Sequence, residues 1–289
     1  MRGLSVLGVF LSLYFVGKWC HTQTDGFQLT HITSPLAASP HWELPSLKEE
    51  EKAALKETLS RPFTYLDSGG QTYAFLSEDG RTVLKLFKMH HLTQYSFLYE
   101  RGFLGVADLL RLQLLSLQKC KLFRAFDSSA LAYLRLKEQT GLLYLNLNPN
   151  PALQNFHVTL IDKLGIHHKI DLSHTPFALQ LYAQNAFKVL RKHIKNHDLE
   201  AGKKVIKEIL TCLKERHAQG IIDIDPSLRR NMGLIQNRAI AIDIGAFFMV
   251  PHPLSSEELA SDTLRMHRWL EKRSSELTAY FDKELQQTH

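Results

Sequence analysis

The sequence predicts an α+β protein in two lobes, the first strand-rich and the second helical. Three observations lead there. Residues 63–88, FTYLDSGGQTYAFLSEDGRTVLKLFK, alternate apolar and polar side chains on both sides of Asp79-Gly80, a hairpin signal. Residues 201–219, AGKKVIKEILTCLKERHAQ, carry apolar residues at helical spacing, and residues 173–194 read as a second long helix. A last hairpin, MGLI and AIAID around Gln236-Asn237-Arg238, is embedded in that helical half.

The remaining elements follow in order. Residues 1–20 open with an uncharged run of 15 residues from Gly3 to Gly17. A spanning helix needs about 20 residues, so the run has the length of a signal-peptide core or a short anchor. An ordinary buried helix is the third reading. Residues 21–45 are polar, with Pro35, Pro40 and Pro45, and read as a tether. Folding is expected from Ser46, where Ser46-x-x-Glu49 has the form of a capping box ahead of a helix that Pro62 closes. A strand-rich lobe over 46–183 and a helical lobe over 184–289 complete the plan. Within the first lobe, leucines at helical spacing mark 92–118, and a fresh helix is expected at Asp127, where DSSALAYLRLKEQ begins with cap residues. Gly141 ends it. GLLYLNLN and VTLIDKLG read as strands, FALQLYA as a third or a connection, and the tail from Ser255 as helix.

Composition narrows the function classes. Of 289 residues, 44% are hydrophobic, enough for a sizeable core. The formal charge of +6 is spread out, and its densest cluster, Arg191–His197, is interrupted by apolar residues at helical spacing. That describes a solvated helix face and not a nucleic-acid surface. Three distant cysteines, Cys20, Cys120 and Cys212, supply neither a disulfide framework nor a zinc site.

The chemistry concentrates in two places. GIIDIDPSLRRNMGLIQNRAIAIDIG, residues 220–245, holds Asp223, Asp225, Asn231 and Asp243 among long apolar neighbours. With the turn centred on Asn237, Asn231 falls opposite Asp243, and directly opposed side chains start about 5 Å apart. Converging oxygens suit a hard cation such as Mg²⁺. The competing reading is turn punctuation, since aspartate is common in turns. The second place is the first hairpin. There Lys85 is expected opposite Tyr73, and Ser68-Gly69-Gly70 overhangs the strand end, where backbone amides can approach an anion. A lysine flanked by Val83, Leu84, Leu86 and Phe87 needs a partner if it points inward, or it is an edge-strand lysine facing water.

Taken together these pieces resemble the protein-kinase-like superfamily over roughly residues 62–250. Asp223-Ile224-Asp225 resembles the catalytic-loop His-Arg-Asp, Asn231 the asparagine metal ligand, Asp243-Ile244-Gly245 the Asp-Phe-Gly segment, Lys85 the lysine of the third strand, and SGGQTY a reduced glycine-rich loop. The resemblance implies ATP and Mg²⁺ as cofactors. Asp225 would orient or deprotonate the acceptor hydroxyl, Asn231 and Asp243 would hold the metal, and Lys85 with Ser68, Gly69 and Gly70 would contact phosphate. Glu138 or Glu100 would pair with Lys85, and the adenine hinge would fall near Phe177–Tyr182.

The departures are specific. Asp223 replaces the histidine, Asp225 to Asn231 is one residue longer than in the family, and the glycine motif is incomplete. Only 44 residues follow Gly245, too few for a peptide-binding activation segment and its helices. The implied function is phosphotransfer to an unknown, non-peptide acceptor. The alternative is an inactive pseudokinase serving as an exported or membrane-associated binding module. A plain exported structural protein, with the aspartates as turn residues, is the third. The N-terminal run makes a membrane-associated or secreted location the expectation.

Overall fold

The computed structural model describes residues 2–93, 106–154, 156–225 and 227–287, and its fold is of the α+β class. The chain divides into two compact units, the first built from residues 1–122 and 146–177, the second from 123–145 and 178–289.

In the first unit, α1 (Arg2–Thr24) runs past the apolar stretch, and Leu13, Tyr14, Phe15, Val16 and Trp19 are all exposed. Among the described residues no helix is long and apolar enough to cross a membrane. Asp25 and Gly26 then adopt positive φ and turn the chain back. The stretch expected to be a tether packs instead. Phe27 and Ile32 are buried, and Phe27 meets Tyr73 and Phe75 edge-on with ring centroids at 5.2 Å. Tyr73 Oη donates to the Gly26 carbonyl at 2.7 Å, and the Met89 amide donates to His31 O at 2.6 Å. Pro35, Pro40 and Pro45 suggest a linker, but Phe27 and Ile32 ahead of them have a sheet face to cover.

Next comes α2 (Glu49–Leu59). It starts two residues later than expected, with the Lys48 amide capped by Glu51 Oε2 at 2.9 Å, so the box is displaced from Ser46. Strands β1 (Phe63–Ser68), β2 (Thr72–Ser77) and β3 (Thr82–Phe87) form an antiparallel meander. A short helical turn, α3 (His90–Thr93), follows. Later in the chain, β5 (His157–Ile161) pairs parallel to β1, and β6 (His167–Asp171) pairs antiparallel to β5. The order within this unit is β3-β2-β1-β5-β6. β6 was not expected; its HHKID has one buried residue in five, too little apolar alternation to announce a strand.

The long helix α4 (Val106–Arg135) is unbroken where a fresh start was expected at Asp127. A single turn, α5 (Lys137–Thr140), ends at Gly141 with φ +64 before β4 (Leu142–Asn146). In the second unit β4 lies beside β7 (Phe177–Leu181). The long helix expected over 173–194 is shorter: β8 (Gln184–Asn185) precedes α6 (Ala186–Lys195), which Asn185 Oδ1 caps by accepting from the Lys188 amide at 3.0 Å. α7 (Leu199–Ala218) is present as expected and buries Val205, Ile206, Ile209, Leu210 and Leu213.

After α7 come β9 (Ile221–Asp223), α8 (Leu228–Asn231), β10 (Met232–Ile235), β11 (Arg238–Ala241) and β12 (Phe247–Met249). β10 pairs with β11 and β8, and β12 pairs with β9. Gly233 lets β8 close in, since a Cβ there would lie 2.6 Å from Ala183 Cβ and 2.8 Å from Ile242 Cγ2. The tail is two helices, α9 (Ser256–Glu271) and α10 (Ser275–Gln286), each opened by a serine cap.

Phe27→Ala should lower stability by about 3–5 kcal/mol, the usual loss for a buried aromatic. Urea denaturation of the full chain checks this; an unchanged midpoint would mean that the 25–34 stretch contributes no packing.

Candidate active site

The acidic loop lies wholly within the second unit. Its geometry begins with the hairpin turn. Gln236 and Asn237 both have positive φ, +47° and +77°, the signature of a two-residue turn. Register follows: Met232 opposes Ala241, and Ile235 opposes Arg238. Asn231 therefore stands opposite Ile242, whose amide donates to Asn231 O at 2.7 Å, and not opposite Asp243. A one-residue slip moves side chains to the other face, so the direct Asn231–Asp243 opposition expected from a turn centred on Asn237 is corrected.

The residues still collect. The Asn231 side-chain amide is buried and donates Nδ2 to the Asp225 carbonyl at 3.2 Å, which spans the loop. Asp223 Oδ1 accepts from the Asp225 amide at 2.9 Å, and Asp243 Oδ1 accepts from the Gly245 amide at 3.1 Å. These two bonds are the turn-forming role that aspartate often plays. Asp225 is partly exposed and lies 3.6 Å from Arg230, while the Asp243 residue is exposed.

The electrostatics separate Asp223 from its neighbours. Burial pushes its carboxyl up to about 7, Arg216 acting against the rise and Asp243 and Asp225 adding to it. Arg216 is its counter-ion, at 3.7 Å from Nη1. Three carboxylates thus sense one another with one buried guanidinium close by. Among the described residues no three His, Cys, Asp or Glu side chains converge as a complete ligand set. A cation here would use one or two protein oxygens and take the rest from water or phosphate, as Mg²⁺ ordinarily does. Asn231 Oδ1 and Asp243 Oδ2, which the hydrogen bonds above leave uncommitted, fit that demand in kind and in charge.

The segment after Asp243 is fixed from α4. Ser128 Oγ donates to Ile244 O at 2.5 Å and accepts from the Phe247 amide at 2.6 Å. This hydroxyl, read from the sequence as part of a helix cap, serves a tertiary contact instead. Glu138 is 75% exposed and pairs with Arg238 at 3.1 Å. Glu100 lies outside the described residues.

In the first unit, Lys85 stands opposite Ala74 and not Tyr73, because the turn Glu78–Arg81 has an even number of residues. It sits between the fully buried Leu84 and Leu86 and is itself half-buried. Ser68, Gly69 and Gly70 form the tight β1–β2 connection, closed by the Gly69 amide on Thr72 O at 2.9 Å. Gly70 has neither a positive φ nor any atom within 4 Å of an added Cβ. Neither local strain nor packing asks for glycine there, which leaves room for close approach of a ligand. Lys88, not singled out in the sequence, holds this turn: its Nζ donates to Gly69 O at 2.6 Å and Ser68 Oγ at 2.8 Å, over the Tyr73 ring. Its position directly after the β3 alternation was the available signal. Arg216 and Ser128 left none, since Asp262, Ile244 and Phe247, to which they hydrogen-bond, are distant in sequence.

Along the chain the elements run glycine turn, lysine strand, long helix, two helices, acidic loop, hairpin and Asp-Ile-Gly. No protein-family model and no curated protein matches the chain. Solved structures do match. An erythromycin complex of Rv3197 from Mycobacterium tuberculosis is 14% identical, with a TM-score of 0.36 over 79% of this chain and 56% of that one. The bifunctional kinase-methyltransferase WbdD is 14% identical, with 0.31 over 75% and 43%. The streptomycin–ATP complex of the phosphotransferase APH(2″)-IIa is 15% identical, with 0.33 over 84% and 85%. The chain thus spans about half the length of the first two. At these scores their ligands carry nothing over to this chain.

Replacing Asp223 by Asn should stabilise the apo protein increasingly as pH rises from 4 to 7. A carboxyl raised above its unfolded value contributes stability when protonated and loses it as pH passes through the folded value. Melting temperatures of both proteins across pH 4–8 check this; a gap independent of pH would contradict the buried-charge account.

Proposed function

We propose that the chain is an ATP- and Mg²⁺-dependent phosphotransferase of kinase-like fold that acts on a non-peptide acceptor. The observation that carries the reading is the gathering of Asp223, Asp225 and Asp243 around buried Asn231, with excess negative charge opposed by Arg216. Burying charge is costly unless it is paired or serves a ligand. Asp225 would orient the acceptor hydroxyl and take its proton. Asn231 and Asp243 would hold Mg²⁺, which when bound neutralises phosphate charge. Lys85 would contact phosphate, and the Ser68-Gly69-Gly70 turn, braced by Lys88, would offer backbone amides to it.

A second reading, a pseudokinase binding module, is favoured by one set of contacts. Glu138 is committed to Arg238, and Asp243 Oδ1 to its own turn. The exposed apolar residues of α1 support a membrane-associated or exported placement in either case.

A thermal-shift titration of the full chain with ATP, with and without Mg²⁺, separates the readings. At a hundredfold excess over Kd, binding should add about 2.7 kcal/mol of stability. The Mg²⁺-dependent part should vanish in Asp243→Asn, and Asp225→Ala should still bind but lose slow ATP turnover. No shift in the wild type would overturn the phosphotransferase reading in favour of the binding module.

A further inference from the structure

The second unit contains a buried polar network to which the proposed chemistry gives no role beyond the charge of Arg216 and Asp223. Arg216, near the end of α7, has a side chain only 4% exposed. Its Nη2 donates to Asp262 Oδ2 of α9 at 3.0 Å, its Nη1 lies 3.7 Å from Asp223 Oδ2, and its guanidinium sits 5.8 Å from the Phe247 ring centroid. His217 Nε2 shares the same Asp262 oxygen at 3.0 Å. Among the described residues, Arg216 Nε and His217 Nδ1 are buried without a hydrogen-bond partner. A guanidinium placed so deep, with one donor unmatched, costs stability that a hydrophobic side chain at the same position would not. Its retention asks for a further role.

The connectivity supplies one. Asp223, opposite Phe247 in the β9–β12 pair, has a side chain 6% exposed; one of its oxygens faces Arg216, and the other accepts from the Asp225 amide. The Asp225 carbonyl in turn accepts from Asn231 Nδ2. A chain of contacts therefore runs from α9 through Arg216 and Asp223 to both ends of the acidic loop. A contact serving only to tie α7 to α9 would be complete with Asp262 and would leave Asp223 out.

We propose that Arg216 is a positioning residue which, through Asp223, fixes the backbone of Asp225 and so the aim of its carboxylate. The assignment rests on the phosphotransferase reading for its catalytic meaning, but the positioning itself is independent of it. Small misplacement of a reacting group is enough to cost about a hundredfold in rate.

Two measurements on the full chain test this. The first is hydrogen–deuterium exchange of the peptide covering residues 221–232, which needs no activity. Arg216→Met should speed exchange there at least tenfold while α6 and β7 keep wild-type protection, and Arg216→Lys should restore part of it. Unchanged exchange in Arg216→Met overturns the proposal. If Arg216→Met does not fold, Arg216→Lys alone decides, and protection equal to wild type with its shorter, unforked side chain counts against the proposal. The second is slow ATP turnover with Mg²⁺. Arg216→Met should lower kcat about a hundredfold with KM for ATP changed less than about threefold. In the Asp223→Asn background the same substitution should add less than threefold, because the route to Asp225 is already cut. Independent, multiplying effects would overturn the route through Asp223. A wild type that never turns over ATP defeats the phosphotransferase reading, and the exchange result still decides the positioning.

Discussion

Two consecutive residues at positive φ, Gln236 and Asn237, set the geometry of the acidic site. A two-residue turn leaves β10 and β11 no choice of register. It places the Asn231 carbonyl on the Ile242 amide and brings Asp243 to the strand's exit. Gly233 then allows β8 to lie against β10, and Ser128 takes up the Ile244 carbonyl and the Phe247 amide beyond the exit. Change the turn by one residue and the side chains of β11, and Asp243 beyond it, would face the other way relative to β10.

Charge is the second constraint. Asp223 is buried beside two other acids, and its carboxyl is pushed up to about 7 although Arg216 is near. The guanidinium is divided between Asp223 and Asp262, and its approach to Asp223 is the longer of the two. The loop is therefore incompletely neutralised by the protein itself. That fits the proposed site, whose remaining positive charge would arrive with a ligand.

The first unit solves a different problem. A strand meander alone would leave Tyr73 and Phe75 open to water, and residues 25–34 cover them. Tyr73 joins both functions: its hydroxyl bonds to Gly26, and its ring lies under the Lys88 ammonium that braces the glycine turn. Burial lowers the proton affinity of Lys88 and raises the Tyr73 hydroxyl to about 12, as expected for groups that trade solvent for fixed partners.

Periodicity and local turn chemistry were enough to determine the α+β class, the hairpin around Asp79-Gly80, α7 and the embedded hairpin around Gln236-Asn237. Those signals lie within a few residues of one another. Single-residue register was not legible, because the alternation in TYAFLS and in MGLI reads the same for either turn length, and the actual φ values decided it. The tether over 21–45 was misread for a related reason: prolines speak locally, whereas Phe27 and Ile32 are held by partners dozens of residues away. Tertiary structure alone decided that Ser128 is a bridge and not a cap, that Glu138 goes to Arg238, and that Arg216 meets Asp223 and Asp262. Apart from Arg216 and Asp223, which sit on consecutive elements, these contacts join elements distant along the chain, and no local pattern encodes which buried donor will find which acceptor once the helices and strands have packed.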